Sequence, residues 1–307
     1  MTTTRLAGVL APVVTPFTRD LAPDPARFAR HCRWLLAHGC RGLAVFGTNS
    51  EANSLTAEER VALLEALVEG GVPPETLMPG TGCCALPDSV RLSAHAVKLG
   101  CAGVLMLPPF YYKGVSDEGL FRSFTEVIDR VGDARLCLYL YHIPPVAQVP
   151  ISLPLIERLL QAYPGTVVGV KDSSGDWTNT KAMLDAFAGA DFDVFAGSEV
   201  FLLQNLRHGG VGCITATGNV NPGAIDRLYR SWQSPEADTM QAEISATRAV
   251  LQKFPMIPAL KATIAHFAGD PEWATVRPPL VDLAQAQQAA LVAELGQRGF
   301  DMPGIGA

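Results

Sequence analysis

The chain has 307 residues, of which 48% are hydrophobic, and a formal net charge of −6. This length allows one large α/β domain or two ordinary ones, and the negative charge argues against a nucleic-acid-binding surface. The first residues lack the apolar core of a signal peptide, and no apolar run approaches the roughly 20 residues that cross a bilayer. We therefore expect a cytoplasmic protein with no nucleic-acid or membrane partner, whose seven cysteines are reduced thiols.

Short apolar segments alternate with amphipathic helical segments up to about residue 222. The predicted strands are residues 8–16, 42–47, 76–82, 103–108, 135–143, 167–171, 193–197 and 212–217. The predicted helices between them include residues 56–69, 88–99, 118–131, 153–161 and 179–188. Thr56 and Glu59 have the spacing of a capping box, which supports the first of these helices. Strands that are apolar throughout and are followed by helices indicate a parallel sheet covered on both faces.

Eight strand–helix units within about 225 residues favour a TIM (β/α)8 barrel. A doubly wound sheet is the competing fold, but it does not need eight repeats, and no G-x-G-x-x-G follows the first strand. Beyond the last predicted strand, only helices are expected, over residues 226–232, 237–254, 257–268 and 280–297. The prediction is an α/β protein with a (β/α)8 barrel over residues 1–222 and a C-terminal helical extension, residues 223–307, packed on the barrel.

A lysine directly follows an apolar strand in the segment VVGVKDSSG. Lysine is almost never fully buried unless it is paired or functional, and burial disfavours the ammonium form. A neutral amine at Lys171 could attack a keto group, and the resulting iminium permits carbon–carbon cleavage without a metal. Tyr141, at the end of the preceding strand, could supply the acid and base. The alternative is a structural lysine paired with Asp172 or Glu199.

The loop GTNSE after the second predicted strand suits a carboxylate-binding site. Gly47 permits a tight turn beneath a ligand, and Thr48 and Asn49 offer hydroxyl, amide and backbone N–H donors. Such a loop could hold the carboxylate of a 2-oxo acid while its keto carbon meets Lys171. An ordinary polar loop is the alternative, and Glu51 is expected to orient the loop.

The six histidines show no H-x-H or H-E-x-x-H spacing, so we expect neither a metal ion nor an organic cofactor. The lysines other than Lys171 fall in predicted helices or a loop. We expect these side chains, Lys261 among them, to be solvated.

Several motifs recur in the order and spacing of one known family. They are VVTPFT, GTNSE…LTAEER, GTG, PPFYYK…EGL, YHIPP, GVKDSSG, GG…GCITATGNVNP and VRPPL. Over nearly its whole length the chain resembles the dihydrodipicolinate synthase / N-acetylneuraminate lyase family of Schiff-base TIM barrels. The resemblance implies pyruvate as the Schiff-base partner and a homotetramer built as a dimer of dimers.

The resemblance also implies roles for individual residues. Lys171 matches the Schiff-base lysine and Tyr141 the tyrosine that carries protons to and from the substrate. Thr48 and Asn49 match the pair that binds the carboxylate. Thr48 would also pass protons between Tyr141 and Tyr112. Tyr112 matches a tyrosine that some members lend to the neighbouring subunit's site.

One further match and several departures concern the substrate. Ile214 matches a residue lining the pyruvate end. Ser50 stands where the family usually has glycine, and Val146 stands where dihydrodipicolinate-forming enzymes carry an arginine that grips the second substrate. His142 replaces a frequent asparagine and is a candidate substrate-binding residue. Finally, the pair Ser198 and Glu199 either binds hydroxyls at the distal end of a longer substrate or forms part of the rim.

The sequence therefore predicts a lyase, specifically a pyruvate-type class I aldolase that cleaves or forms a hydroxy-2-oxo acid. A 2-keto-3-deoxy sugar acid dehydratase shares the same iminium and stays open as an alternative. A dihydrodipicolinate synthase-like condensing enzyme is disfavoured by Val146, because a charged aldehyde would lose its main anchor. The alternative outside enzymology is a sensor that binds a keto acid, although binding alone needs neither Lys171 nor Tyr141.

Overall fold

The structure, a computed structural model, describes residues 5–187 and 189–306. Residues 1–4, 188 and 307 lie outside the described residues, and so do the parts of the predictions that fall on them, such as the end of the helix predicted over 179–188. The strands, named β1 to β7 in chain order, are Gly8–Ala11, Gly42–Leu43, Val104–Met106, Leu138–His142, Val167–Asp172, Asp193–Ala196 and Gly212–Ile214.

These strands are parallel and form one sheet in the order β2-β1-β7-β6-β5-β4-β3. Residues 77–81 join its two outer strands, because Leu77 is bridged to Leu43 of β2 and Gly80 to Leu105 of β3. With this irregular eighth segment the sheet closes on itself. The prediction of a TIM barrel is confirmed.

Most of the predicted strands are longer than the observed ones, and proline accounts for two of these differences. The segment predicted over residues 76–82 contains Pro79, which has no N–H to donate to a ladder, although its carbonyl accepts from the Leu105 amide at 2.9 Å. The strand predicted over residues 8–16 ends before Pro12 for the same reason. Proline interrupts both ladders without removing either segment from the barrel wall.

Helices cover the outside of the barrel and continue beyond it. In chain order they are α1 Pro25–Ala37, α2 Ala57–Glu69, α3 Leu86–Leu99, α4 Asp117–Val131, α5 Pro144–Ala147, α6 Leu153–Ala162, α7 Trp177–Phe187, α8 Leu202–Arg207, α9 Pro222–Arg230, α10 Ala237–Leu251, α11 Met256–Ala268 and α12 Gln285–Gln297. Thr56 and Glu59 form the predicted capping box at the start of α2. None of the helices described is both long and apolar enough to cross a membrane.

The last three helices form the C-terminal helical extension. Helix α10 contacts α8, α9 and the 3-10 turn Glu199–Phe201, and α11 contacts the 3-10 turn Ala216–Asn219. Both turns follow barrel strands, so the extension touches loops at the carboxyl end of the barrel. The predicted boundary at residue 222, where α9 begins, stays a prediction.

The barrel interior is filled by apolar and aromatic side chains. They are Leu10, Ala44, Met78, Leu105, Tyr139, Tyr141, Ile143, Ala147, Val168, Phe195 and Ile214. Near the amino end, the Tyr139 hydroxyl donates to Asp193 at 3.0 Å. A Cβ atom on Gly169 would lie 2.6 Å from the Tyr139 ring, so glycine is needed there. This packing closes the amino end of the barrel and leaves the carboxyl end for a site.

Candidate active site

Strands β4 and β5 place Tyr141 and Lys171 directly opposite each other in register. The Lys171 Nζ atom lies 4.1 Å from the centroid of the Tyr141 ring. Each residue is only 3% exposed. Both lie near the carboxyl ends of their strands, which is where TIM-barrel enzymes carry their chemistry.

The Lys171 amine has no ion pair and no hydrogen bond to any residue in the described ranges; its recorded contact is with the Tyr141 ring. The Lys171 Nζ atom is not completely enclosed by protein atoms, so it stays accessible from the open mouth. A buried amine without a counter-charge is unusual, because burying an unpaired charge costs free energy. The site therefore holds a buried amine beside a tyrosine, without a carboxylate partner in the described ranges.

Asp172, one of the two carboxylates considered as a structural partner for Lys171, has other partners. Consecutive strand residues point to opposite faces, so Asp172 faces the helices rather than the barrel interior. Its carboxylate accepts from the Ser174 amide at 2.9 Å and from the Thr180 hydroxyl at 2.6 Å. It thus anchors the start of α7.

Glu199 also has a complete set of partners. It is 1% exposed, and its carboxylate pairs with Arg248 of α10 at 2.7 Å and accepts from the hydroxyls of Thr215 and Thr217. The neighbouring Ser198 is half-buried and accepts from the Val200 amide at 3.4 Å. The structure does not support a substrate contact by Glu199, because three donors already occupy its enclosed carboxylate.

Thr48 connects the lysine–tyrosine pair to the polar loop. Its hydroxyl oxygen lies 3.2 Å from the hydroxyl oxygen of Tyr141, within hydrogen-bond distance, and either atom can donate. The two side chains come from positions 93 residues apart in the chain. The barrel therefore brings together the predicted proton-transfer groups, Tyr141 and Thr48, beside the Lys171 amine.

Several backbone amides of the loop of residues 47–51 donate hydrogen bonds within the loop itself. The amides of Ser50 and Glu51 donate to the carbonyls of Gly47 and Thr48, each at 3.1 Å, and the Gly47 amide donates to the Ser50 hydroxyl at 3.2 Å. The amides of Thr48 and Asn49 donate to no other group of the described chain. Two adjacent N–H groups, at half-buried residues, are thus left for a ligand.

The turn differs in detail from the sequence expectation. Gly47 does not adopt a left-handed backbone conformation; Phe46 and Glu51 do, with φ of 59° and 55°. Ser50 replaces the family's glycine without a positive φ. Its hydroxyl donates to the Val13 carbonyl while accepting from Gly47, so the serine adds a tie between the loop and the segment that follows β1.

Apolar side chains form the wall beside the pair. Ile143, Ala147 and Ile214 belong to the same buried cluster as Tyr141, and Leu107 packs against it. Ile214 is fully buried at the end of β7. Among the residues described, no group of three or more His, Cys, Asp or Glu side chains could hold a metal ion.

His142 does not face the mouth. It follows Tyr141 in β4, so the two side chains lie on opposite faces of the sheet. The His142 Nδ1 atom accepts from the Ile151 amide at 3.0 Å, and burial lowers the pKa of the ring. Its predicted substrate contact is not supported, because the side chain packs between sheet and helices.

Tyr112 lies apart from the other candidate residues. It is 73% exposed, and its ring stands edge-on to Tyr111 with centroids 5.3 Å apart. It makes no hydrogen bond to Thr48 within this chain. A role for Tyr112 beside Thr48 therefore depends on a second subunit and stays a prediction.

The expectation that Lys261 is solvated was wrong. Lys261 on α11 is fully buried, forms an ion pair with Glu51 and donates to the Thr275 carbonyl at 2.7 Å. Burial lowers the pKa of this lysine to about 8, despite the attraction of Glu51. A signal was present in the sequence, since α11 reads MIPALKATIAHFA and is apolar on both sides of the lysine.

Comparison with known sequences identifies the family. A sequence model of the dihydrodipicolinate synthetase family matches residues 5–298. A DapA-like lyase from Chloroflexus aurantiacus is 34% identical over 291 residues, which cover 93% of this chain and 95% of that protein. The chain belongs to the dihydrodipicolinate synthetase family.

Solved structures of the dihydrodipicolinate synthetase family have the same fold. Dihydrodipicolinate synthase from Agrobacterium tumefaciens matches with a TM-score of 0.88 and 31% identity, covering 95% of this chain and 99% of that chain. A prophage protein of this family from E. coli K12, solved in complex with pyruvate, has a TM-score of 0.88 and 27% identity. That match covers 97% of this chain and 100% of that chain.

Membership of the family fixes the class of activity. Its members are Schiff-base enzymes of the class I pyruvate aldolase type, and this chain is a lyase of that type. The family resemblance, the barrel with its helical extension and the enzyme class predicted from the sequence are confirmed. The individual site residues stay predictions.

Proposed function

We propose that Lys171 is the Schiff-base nucleophile of an aldolase that cleaves or forms a hydroxy-2-oxo acid, with pyruvate as one product or substrate. The observation that carries the proposal is a buried amine against a tyrosine ring, without a carboxylate partner among the described residues. Iminium formation needs an amine next to a proton donor, and the Lys171 amine lies against the Tyr141 side chain. The pyruvate complex of the E. coli relative supports the choice of a 2-oxo acid.

The polar loop is the proposed anchor for the substrate's carboxylate. The free amides of Thr48 and Asn49, together with the Thr48 hydroxyl, provide donors on the Tyr141 side of the mouth. A carboxylate held there would direct the adjacent keto carbon towards Lys171. Ile214 would then lie below the methyl or methylene carbon, where an apolar contact is appropriate.

The reaction then proceeds through an iminium. The Lys171 amine attacks the keto carbon, and Tyr141 protonates the carbinolamine oxygen, which leaves as water. The Tyr141 phenolate takes the proton of the C4 hydroxyl while the C3–C4 bond breaks and its electron pair moves into the iminium, releasing an aldehyde. Tyr141 then protonates the enamine at C3. Water hydrolyses the new iminium to pyruvate and free amine, and the proton released returns to the Tyr141 phenolate. No step needs a metal or an organic cofactor.

The exposed tyrosines are the basis for a proposed assembly. Tyr111, Tyr112, Val115 and Val146 are the exposed large apolar side chains of residues 111–146. Large apolar groups that are exposed together mark interaction sites on many proteins. We propose that a second copy covers them in a homotetramer built as a dimer of dimers, so that Tyr112 completes a neighbouring site. Light scattering coupled to size exclusion tests this, and a monomer at micromolar concentration would contradict it.

An uncharged aldehyde fits the mouth better than a carboxylated one. Val146, where synthases carry the gripping arginine, is 62% exposed and apolar. Lys113 is engaged with the carbonyl of Ala147 at 2.7 Å, and Arg248 with Glu199. A condensing synthase is the second candidate because the Agrobacterium relative bears that name, but these side chains offer no free cation for aspartate semialdehyde.

The experiment is a coupled assay of pyruvate release from a panel of 2-oxo acids that carry a hydroxyl at C4. We expect release from at least one member with an uncharged distal end, and none with Lys171→Ala. Consumption of substrate without pyruvate or aldehyde would indicate dehydration instead. Tight binding of pyruvate with no turnover of any member would favour the sensor.

A further inference from the structure

One buried ion pair joins the C-terminal extension to the polar loop of the mouth. Lys261 of α11 is fully buried and bonds Glu51. The other carboxylate oxygen of Glu51 accepts from the backbone amide of Arg277 at 2.9 Å. Both carboxylate oxygens of Glu51 are therefore held by groups of the extension. These groups lie 210 and 226 positions from Glu51 in the sequence.

Glu51 lies in the loop that carries the two free amides. Its own amide donates to the Thr48 carbonyl at 3.1 Å, and its backbone is left-handed with φ of 55°. A non-glycine residue in this conformation is strained and persists only where its surroundings hold it there. Fixing the Glu51 side chain thus fixes the backbone around Thr48 and Asn49.

We propose that Glu51 and Lys261 are positioning residues: their ion pair lets the C-terminal extension set the loop whose amides bind the substrate's carboxylate. The inference rests on the proposed function, because it presumes a 2-oxo acid at this loop. Neither side chain touches the substrate in this arrangement, and both act through the backbone of residues 48 and 49.

Stability alone does not account for a charged pair at this position. Replacing a buried ion pair with apolar residues of similar volume is often neutral or stabilising, so such a pair is weak evidence for a stabilising role. The loop has separate anchors, since the Ser50 hydroxyl donates to the Val13 carbonyl and Arg60 of α2 donates to the Ala52 carbonyl. The ion pair with Lys261 additionally fixes the side chain of Glu51, the residue whose left-handed backbone shapes the turn.

The test is a double variant, Glu51→Gln with Lys261→Met, which removes both charges and leaves neither buried alone. The readout is borohydride trapping at Lys171, measured against the concentration of pyruvate and of methyl pyruvate, a ketone without the negative charge. The matched control is Lys253→Met with Glu294→Gln, the same substitutions at an ion pair outside the core, between the turn after α10 and helix α12.

The expected result is selective for the carboxylate. The half-saturating pyruvate concentration should rise about tenfold or more, the scale of a lost hydrogen bond to a charged group, with methyl pyruvate changed less than about threefold. The control pair should leave both values unchanged. Equal losses for both ketones, or no loss in a folded protein, would overturn the proposal.

Two further observations keep the outcomes distinct. If the double variant does not fold, Glu51→Asp keeps the charge but shortens the tie, and the same selective loss for pyruvate is required of it. If the unmodified protein traps neither ketone at Lys171, the proposed function itself fails. Trapping of both ketones with an unchanged preference in the variants removes only the positioning role.

Discussion

Two lysines are buried in the described chain, and their surroundings differ. Lys261 bonds a carboxylate and a backbone carbonyl, whereas Lys171 has the Tyr141 ring as its recorded contact. Both pay the desolvation cost of leaving water, but Glu51 offsets that cost only for Lys261. Burial alone therefore does not mark a reactive lysine; burial without a carboxylate, next to a proton donor, does.

The largest expected effect is on turnover when the unpaired lysine is removed. Lys171→Ala should abolish measurable pyruvate release, because it removes the amine that is proposed to form the iminium. The assay is the coupled pyruvate measurement, with Lys98→Ala on the exposed face of α3 as the control. Residual activity within tenfold of the unmodified protein would assign the nucleophile elsewhere.

The two lysines can also be compared by replacing each with methionine in a separate variant and measuring the free energy of unfolding. Lys261→Met leaves Glu51 buried without its cation, and removing one partner of a buried pair costs about 3–5 kcal/mol. Lys171→Met removes an unpaired buried amine and should leave the free energy of unfolding unchanged or raise it. Urea unfolding followed by circular dichroism measures both. Equal destabilisation would mean that Lys171 has a partner of its own.

Tyr141→Phe tests the proton donor beside the unpaired lysine. The variant should still form some pyruvate adduct but turn over about 10²-fold more slowly or worse, the scale of general acid–base catalysis. Single-turnover kinetics separate adduct formation from bond cleavage. Normal turnover would show that the proton path does not use the Tyr141 hydroxyl.

A smaller effect is expected at alkaline pH from the paired lysine. Burial lowers the pKa of Lys261 to about 8, and the charged groups around it are Glu51, Asp282 and Arg277. Above that pH the ammonium loses its proton and the ion pair with Glu51 is lost, so the preference for pyruvate over methyl pyruvate should fall. The ratio of the two half-saturating concentrations cancels any effect of pH that acts equally on both ketones.

The control for the pH experiment is Lys261→Arg, which stays charged throughout this range. It should retain the preference for pyruvate up to at least pH 9.5. The preference for pyruvate over methyl pyruvate could instead stay constant with pH in the unmodified protein, or fall equally in the arginine variant. Either result would show that the charge on residue 261 does not control the loop.

The barrel and the pair at its mouth could be predicted from the sequence because their signals are local. Apolar strands alternate with capped helices. The strand Val167–Asp172 ends on Lys171 and an aspartate, just as Leu138–His142 ends on Tyr141 and a histidine. Parallel pairing then brings the two strand ends together without further information. The irregular eighth segment was predicted as a full strand because periodicity does not show how Pro79 breaks the ladder.

The partners of buried charges could not be predicted in the same way. Glu51 meets Lys261 across 210 positions, and Glu199 meets Arg248 across 49, so neither pairing has a local signal. His142 is different, because strand alternation alone requires it to face away from Tyr141. The partners of Glu51 and Glu199 both belong to the C-terminal extension, so they can be identified only from the structure in which the extension packs against the barrel.

The most direct measurement is peptide mapping after borohydride reduction of the protein saturated with pyruvate. The account predicts one adduct per chain, on the peptide that contains Lys171, and none on the peptide that contains Lys261. An adduct on any other lysine, or none at all under conditions where the protein is folded, would contradict it.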